Sequence, residues 1–218
     1  MKLLRYGSIG KEKTCVLDLQ GNIRDLSAHI KELSGDSISL QNLDKVKALD
    51  FEKLPICPEG DRIGSCLADA PNFFCIGLNY AKHAAETGSK LPEEPLVFNK
   101  STSAINGPYD DIKIPKGSVH TDWEVELGLV IGKPCYQVSE DEALNYVSAY
   151  FTANDVSERT YQKHRSGQWV KGKSSPTFAP IGPYLVTADE IDNPQNLSIK
   201  TTITVSYTHL TLPTILLV

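Results

Sequence analysis

The chain has 218 residues, with 22 Lys and Arg against 27 Asp and Glu, a formal net charge of −5. That mildly acidic balance argues against general nucleic-acid binding, which needs a basic face, and no apolar run approaches the roughly 18 residues of a membrane span. A length of 218 residues allows one large domain, or a main domain with a smaller one, and a hydrophobic content of 40% is ordinary for a globular chain.

The N-terminus, Met1-Lys2-Leu3-Leu4-Arg5-Tyr6-Gly7, lacks the apolar core of a signal peptide. Residues 3–9 and 14–19 read as short strands with a turn at Gly21-Asn22, and Leu26, Ile30 and Leu33 give residues 25–33 the spacing of a helix. Pro, Gly and Asp accumulate between Pro55 and Pro71, the composition of a linker. Residues 1–70 are therefore expected to form a small N-terminal α/β module with its linker. An apolar strand at 73–77 opens the next unit, followed by a short helix over 80–87 closed by Gly88 and a strand at 96–99. Asn106-Gly107-Pro108 and Pro115-Lys116-Gly117 carry turn chemistry. Ser139 and Glu142 have the spacing of a capping box, which predicts a helix to about residue 150 with Ala143, Leu144 and Val147 on its buried stripe. Strands are expected at 151–156, 184–186 and 197–205, with a loop over 168–173. Many short strands and few helices make the class α+β, mostly β. The five cysteines, Cys15, Cys57, Cys66, Cys75 and Cys135, contain no CxxC pair and read as reduced thiols of a cytoplasmic protein.

The chemistry concentrates in Asp122-Trp123-Glu124-Val125-Glu126-Leu127-Gly128. Residues i and i+2 of a strand share a face, so Glu124 and Glu126 project side by side. Paired carboxylates repel and lose hydration unless a cation or a shared proton relieves them. The spacing fits an exposed edge strand as well. Asp155, at the end of the strand after the capping-box helix, can be brought to the same place, and three carboxylates form an oxygen-only set suited to Mg²⁺, Mn²⁺ or Ca²⁺. His83 and Glu86 lie three apart on one helix face, either as a surface contact or as a pair in which Glu86 raises the basicity of the imidazole for work on water. Lys171 and Lys173 flank Gly172, either on a solvated basic loop or close enough to a carbonyl to stabilise developing negative charge.

Taken together, these residues resemble the fumarylacetoacetate hydrolase family. The resemblance is carried by Ile76-Gly77-Leu78-Asn79-Tyr80-Ala81-Lys82-His83-Ala84-Ala85-Glu86, the Asp122–Gly128 string, Asn154-Asp155-Val156-Ser157-Glu158-Arg159, Trp169-Val170-Lys171-Gly172-Lys173 and Phe178-Ala179-Pro180-Ile181-Gly182-Pro183, in that order. It implies a mixed β-roll or sandwich catalytic domain over residues 71–204 and a homodimer. It also implies Glu124, Glu126 and Asp155 as ligands of Mg²⁺ or Mn²⁺, His83 and Glu86 as a water-activating dyad on a lid helix, and Lys173 as a contact to substrate oxygens. The implied reaction is hydrolysis of a C–C bond in a 1,3-dicarbonyl or 2,4-dioxo acid, such as an acylpyruvate or a 2,4-diketo-3-deoxy sugar acid. Relatives of this kind also decarboxylate, isomerise or cleave ureidoglycolate at the same site. The implied partner is a small dioxo acid, with neither nucleic acid nor membrane.

The chain departs from the family after about Thr204. The threonine and glycine loop STGTP-x-G-V-G is absent, and residues 205–218 do not resemble the family. Those residues are expected to be a foreign tail on a shortened reading frame, which makes the catalytic domain incomplete, with a genuine divergent C-terminal strand as the alternative. Unpaired strand edges would then make the polypeptide unstable or poorly active, and an inactive fragment is the third expectation beside the two enzymatic ones.

Overall fold

The computed structural model describes residues 1–86, 88, 90–205 and 208–215, the side chains of Glu86 and of residues 202–215 excepted. Strand β1 (Lys2–Tyr6) pairs antiparallel with β2 (Lys13–Leu17), and β2 with β3 (Ile23–Asp25). Leu3 faces Val16 and Leu4 faces Cys15 across the register, and successive pairs point to opposite faces, so each pair enters a different apolar cluster.

The helix expected over 25–33 is replaced by β3 and a single turn, closed by the Ile30 N–H donating to the Leu26 carbonyl at 3.0 Å. Asp25 explains the outcome: its carboxylate accepts from Lys13 Nζ at 2.6 Å and from the Ser27 N–H at 3.0 Å, which favours a strand end and turn over a helix. Leu26, Ile30 and Leu33 are buried all the same. An additional helix, α1 (Leu40–Lys47), begins where Ser39 Oγ accepts from the Asn42 N–H at 3.3 Å, and it buries Leu43 and Val46.

Strand β4 (Phe74–Gly77) leads through α2 (Ala81–Glu86) to β5 (Leu96–Asn99), its antiparallel partner. Gly88 follows α2 with φ +66°, the left-handed conformation usual just past a helix. Short strands β6 (Ile105–Asn106) and β7 (Thr121–Asp122) precede β8 (Val125–Ile131). The capping-box segment yields only one α-helical turn, α3 (Glu140–Ala143), and a 3₁₀ turn, Leu144–Tyr146. Ser139 Oγ donates to Glu142 Oε2 rather than capping a backbone N–H. Leu144 stays 53% exposed, and Val147 opens β9 (Val147–Asn154) instead of lining a helix. Val147, Tyr150, Phe151 and Thr152 favour a strand, and β9 is paired on both sides, to β8 and to β12.

Next come β10 (Ser157–Glu158), a π-helical turn at Thr160–His164, and α4 (Val170–Lys173), one helical turn where a loop was expected. Strands β11 (Ala179–Pro180), β12 (Leu185–Thr187), β13 (Ser198–Val205) and β14 (Thr208–Ile215) complete the described chain. The main sheet has six strands in the order β3-β2-β1-β12-β9-β8 and is antiparallel throughout. Because β1 joins β12, strands from both sides of residue 70 share that sheet. In the segment 205–218, strand β14 pairs with β13, while residues 206–207 and 216–218 lie outside the described residues. All five cysteines are free thiols. No described helix is long and apolar enough to cross a membrane.

Candidate active site

The antiparallel register of β8 and β9 assembles the carboxylates. Val125 faces Asn154 and Glu126 faces Ala153, and just past that pairing the Asp155 N–H donates to the Glu124 carbonyl at 2.8 Å. Glu124 therefore precedes β8 by one residue while Asp155 follows β9 by one, and both lie at the same end of the sheet as Glu126. Glu124, Glu126 and Asp155 line one cleft of about 1930 Å³, together with Tyr80, His83, Lys100, Arg159 and Lys173.

Two buried lysines hold Asp155. Lys173 Nζ lies 2.6 Å from Asp155 Oδ2 and 2.8 Å from Glu124 Oε2. Lys100 Nζ takes the other oxygen, Asp155 Oδ1, at 2.6 Å and the Val156 carbonyl at 3.1 Å. Each lysine is 1% exposed. Burial lowers the Lys100 ammonium below its ordinary range, although the Asp155 carboxylate opposes that shift. On the outer side of Glu124, Arg159 pairs with Oε1 and reaches Asp122 Oδ2 at 2.7 Å.

Glu126 has a different partner. Tyr80 Oη donates to its Oε2 at 2.6 Å. Burial pushes the Glu126 carboxyl up to about 7; the Tyr80 hydrogen bond counteracts this, and the Glu124 and Asp155 charges add to it. Tyr80 arrives through Leu78, which has φ 53°, an uncommon conformation for a branched side chain. This left-handed residue lies between β4 and α2, just before Tyr80 and the helix that carries His83 at the cleft. His83 is exposed, and the side chain of Glu86 lies outside the described residues.

Lys173 is placed by close packing beneath α4. A β-carbon on Gly172 would lie 2.5 Å from the Glu158 carbonyl oxygen and 2.6 Å from the Gln162 nitrogen, so only glycine lets α4 pack this near. Glu158 is itself buried, and its carboxylate accepts the N–H groups of Tyr161 and His120 at 2.6 and 3.1 Å. Burial favours its neutral form, but these bonds prevail and hold the carboxyl below its usual value. At the other end of the turn, Trp169 meets Phe98 edge to face at 5.2 Å. Lys171 is separate from this cluster: it is exposed and donates to the Arg165 carbonyl at 3.1 Å.

The expected Glu124, Glu126, Asp155 and Lys173 thus come together, with His83 on the same cleft. Lys100, Tyr80 and Arg159 enter as additional members. The donor chemistry of the three carboxylates suits a hard divalent cation. Among the described residues, however, no three carboxylate, imidazole or thiol side chains form a ready-made metal cluster. Lysine ammonium groups stand against Glu124 and Asp155 instead.

Comparison with known proteins places this geometry among relatives. Residues 72–208 match the model of the fumarylacetoacetate (FAA) hydrolase C-terminal family. A provisionally named hydrolase from Burkholderia multivorans (strain ATCC 17616 / 249) is 57% identical over 199 residues, covering 91% of this chain and 71% of that protein. Among solved structures, fumarylacetoacetate hydrolase from psychrophilic Exiguobacterium antarcticum matches with a TM-score of 0.75 and 26% identity, over 98% of this chain and 75% of that one. A 5-carboxymethyl-2-hydroxymuconate delta-isomerase from Mycobacterium smegmatis matches with a TM-score of 0.72 and 26% identity, over 98% of this chain and 76% of that one.

Proposed function

The chain belongs to the fumarylacetoacetate hydrolase family, whose enzymes generally depend on a divalent metal, and from that premise we propose that it hydrolyses a C–C bond in a 2,4-dioxo acid such as an acylpyruvate. The observation that carries this reading is the convergence of Glu124, Glu126, Asp155 and Lys173 in a cleft that His83 also lines. Glu124, Glu126 and Asp155 would hold Mg²⁺ or Mn²⁺, which supplies Lewis-acid polarisation of bound oxygens.

The side chains of this chain do the rest. His83, with Glu86 as the partner that the family resemblance implies, takes a proton from water as that water attacks the carbonyl distal to the carboxylate. The bond between that carbonyl carbon and the methylene carbon breaks, and its electron pair leaves as the enolate of a pyruvate-like acid. Lys173 stabilises the enolate oxygen, and protonation at carbon completes the second product. One water is consumed, and two acids are released. Arg159 and Lys173 place positive charge beside an anionic substrate. The homodimer that the family resemblance implies is the proposed working unit.

The likeness to a solved delta-isomerase favours a second reading, proton transfer on an unsaturated dioxo acid without bond cleavage. Incubation with an acylpyruvate and Mg²⁺ or Mn²⁺ separates the two. Stoichiometric carboxylic acid and pyruvate support hydrolysis, and an ultraviolet change without new acid supports isomerisation. Metal-independent turnover, or none in either assay, refutes the reading.

A further inference from the structure

The two lysines on Asp155 are not equivalent. Lys100 is tied to one carboxylate oxygen and to the neutral Val156 carbonyl. Lys173 touches two carboxylates, Glu124 and Asp155, which are the groups a divalent cation would need. Its ammonium also faces the Phe98 ring, with 5.1 Å to the centroid. Glu124 and Asp155 already face three cationic side chains, because Arg159 closes the outer side of Glu124 while also pairing with Asp122. A divalent ion added to that set leaves an excess of positive charge in a poorly hydrated place, a costly arrangement unless one cation withdraws. Lys100 is retained by a carbonyl and Arg159 by a second carboxylate, which leaves Lys173 as the one to withdraw.

We propose that Lys173 is a displaceable counter-ion, competing with a divalent cation for Glu124 and Asp155 while Lys100 stays fixed on Asp155 as the positioning residue. Loading of the cation then frees the Lys173 ammonium toward the cleft, so the group that meets substrate oxygens becomes available only when the metal is in place. This inference rests on the reading above that these carboxylates hold a divalent cation.

Mn²⁺ titration by calorimetry of the unaltered protein, Lys173→Met and Lys100→Met tests it. Removing the competing charge is expected to tighten Mn²⁺ binding about ten-fold in Lys173→Met, the effect of one partly screened charge, whereas Lys100→Met gives no tightening. Equal or weaker binding by folded Lys173→Met, or equal tightening in both variants, overturns the exchange alone. Absence of Mn²⁺ binding to the unaltered protein overturns the exchange and the metal reading together. A second measurement needs no variant: acetic anhydride labelling of the unaltered protein, read by mass spectrometry, should rise several-fold at Lys173 on saturation with Mn²⁺ and stay low at Lys100. Unchanged labelling of Lys173 overturns the proposal.

Discussion

Tyr80 and Glu126, 46 residues apart in the chain, are joined by a 2.6 Å hydrogen bond, and the same Tyr80 oxygen accepts the Leu127 N–H at 3.3 Å. One phenol thus fixes a carboxylate and the backbone beside it, linking the segment before α2 to β8. Tyr80 is only 6% exposed, so Tyr80→Phe leaves the ring's packing but strands an acceptor and a donor. A loss of about 1–3 kcal/mol is expected, read from the urea midpoint in the absence of metal. A midpoint equal to that of the unaltered protein refutes the linking role.

Gly172→Ala tests how Lys173 is placed. The added methyl group would meet the Glu158 carbonyl and the Gln162 backbone, neither of which is the far end of a flexible chain. The turn must move outward, at a cost of about 1–3 kcal/mol. Turnover should fall further than stability alone explains, because Lys173 follows directly and its two carboxylate contacts depend on that backbone. Wild-type kcat in a folded Gly172→Ala protein would contradict this placement.

Glu124 and Glu126 were legible as a pair because an i, i+2 spacing puts two side chains on one face of an extended segment, although that spacing fitted an exposed edge strand as well and Glu124 lies one residue before β8. Asp155 then follows from the pairing of two consecutive long strands. Tyr80 and Lys100 carried no such signal, since their partners Glu126 and Asp155 lie 46 and 55 residues away and nothing local marks a lysine after a strand as buried. The errors in secondary structure have a related origin. Leu26, Ile30 and Leu33 are buried as their spacing suggests, yet Asp25 bonds to Lys13 and Ser27 and ends a strand there. At Ser139 a genuine helix start is overridden within two turns, because Val147 onward supplies a strand inside the main sheet.

Acid stability should report on Asp18. Its carboxylate accepts from Arg24 Nε at 2.7 Å and from the Asn22 backbone and side chain at 2.7 and 3.0 Å. Burial alone would raise this carboxyl, but these bonds outweigh it and hold it at about 2, below the usual carboxylate range. A depressed folded-state value means that the stabilisation is fully present above the unfolded carboxylate value near 4 and is lost as pH falls through about 2. Asp18→Asn should therefore lower Tm near neutrality, and the gap from the unaltered protein should close as pH approaches about 2. A gap that is constant over that window would show that the ionised carboxylate is not what matters.

His83→Ala separates chemistry from structure. The side chain is exposed on a short helix at the cleft, so its removal should change stability by no more than about 0.5 kcal/mol. As the proposed base for water, it should be worth roughly 10²–10⁴-fold in kcat. Because His83 is not among the carboxylates assigned to the cation, Mn²⁺ affinity should stay unchanged, while Glu126→Ala should abolish the Mn²⁺-dependent rise in Tm. If His83→Ala turns over an acylpyruvate as fast as the unaltered protein, water is activated elsewhere and α2 acts only as a cover for the cleft.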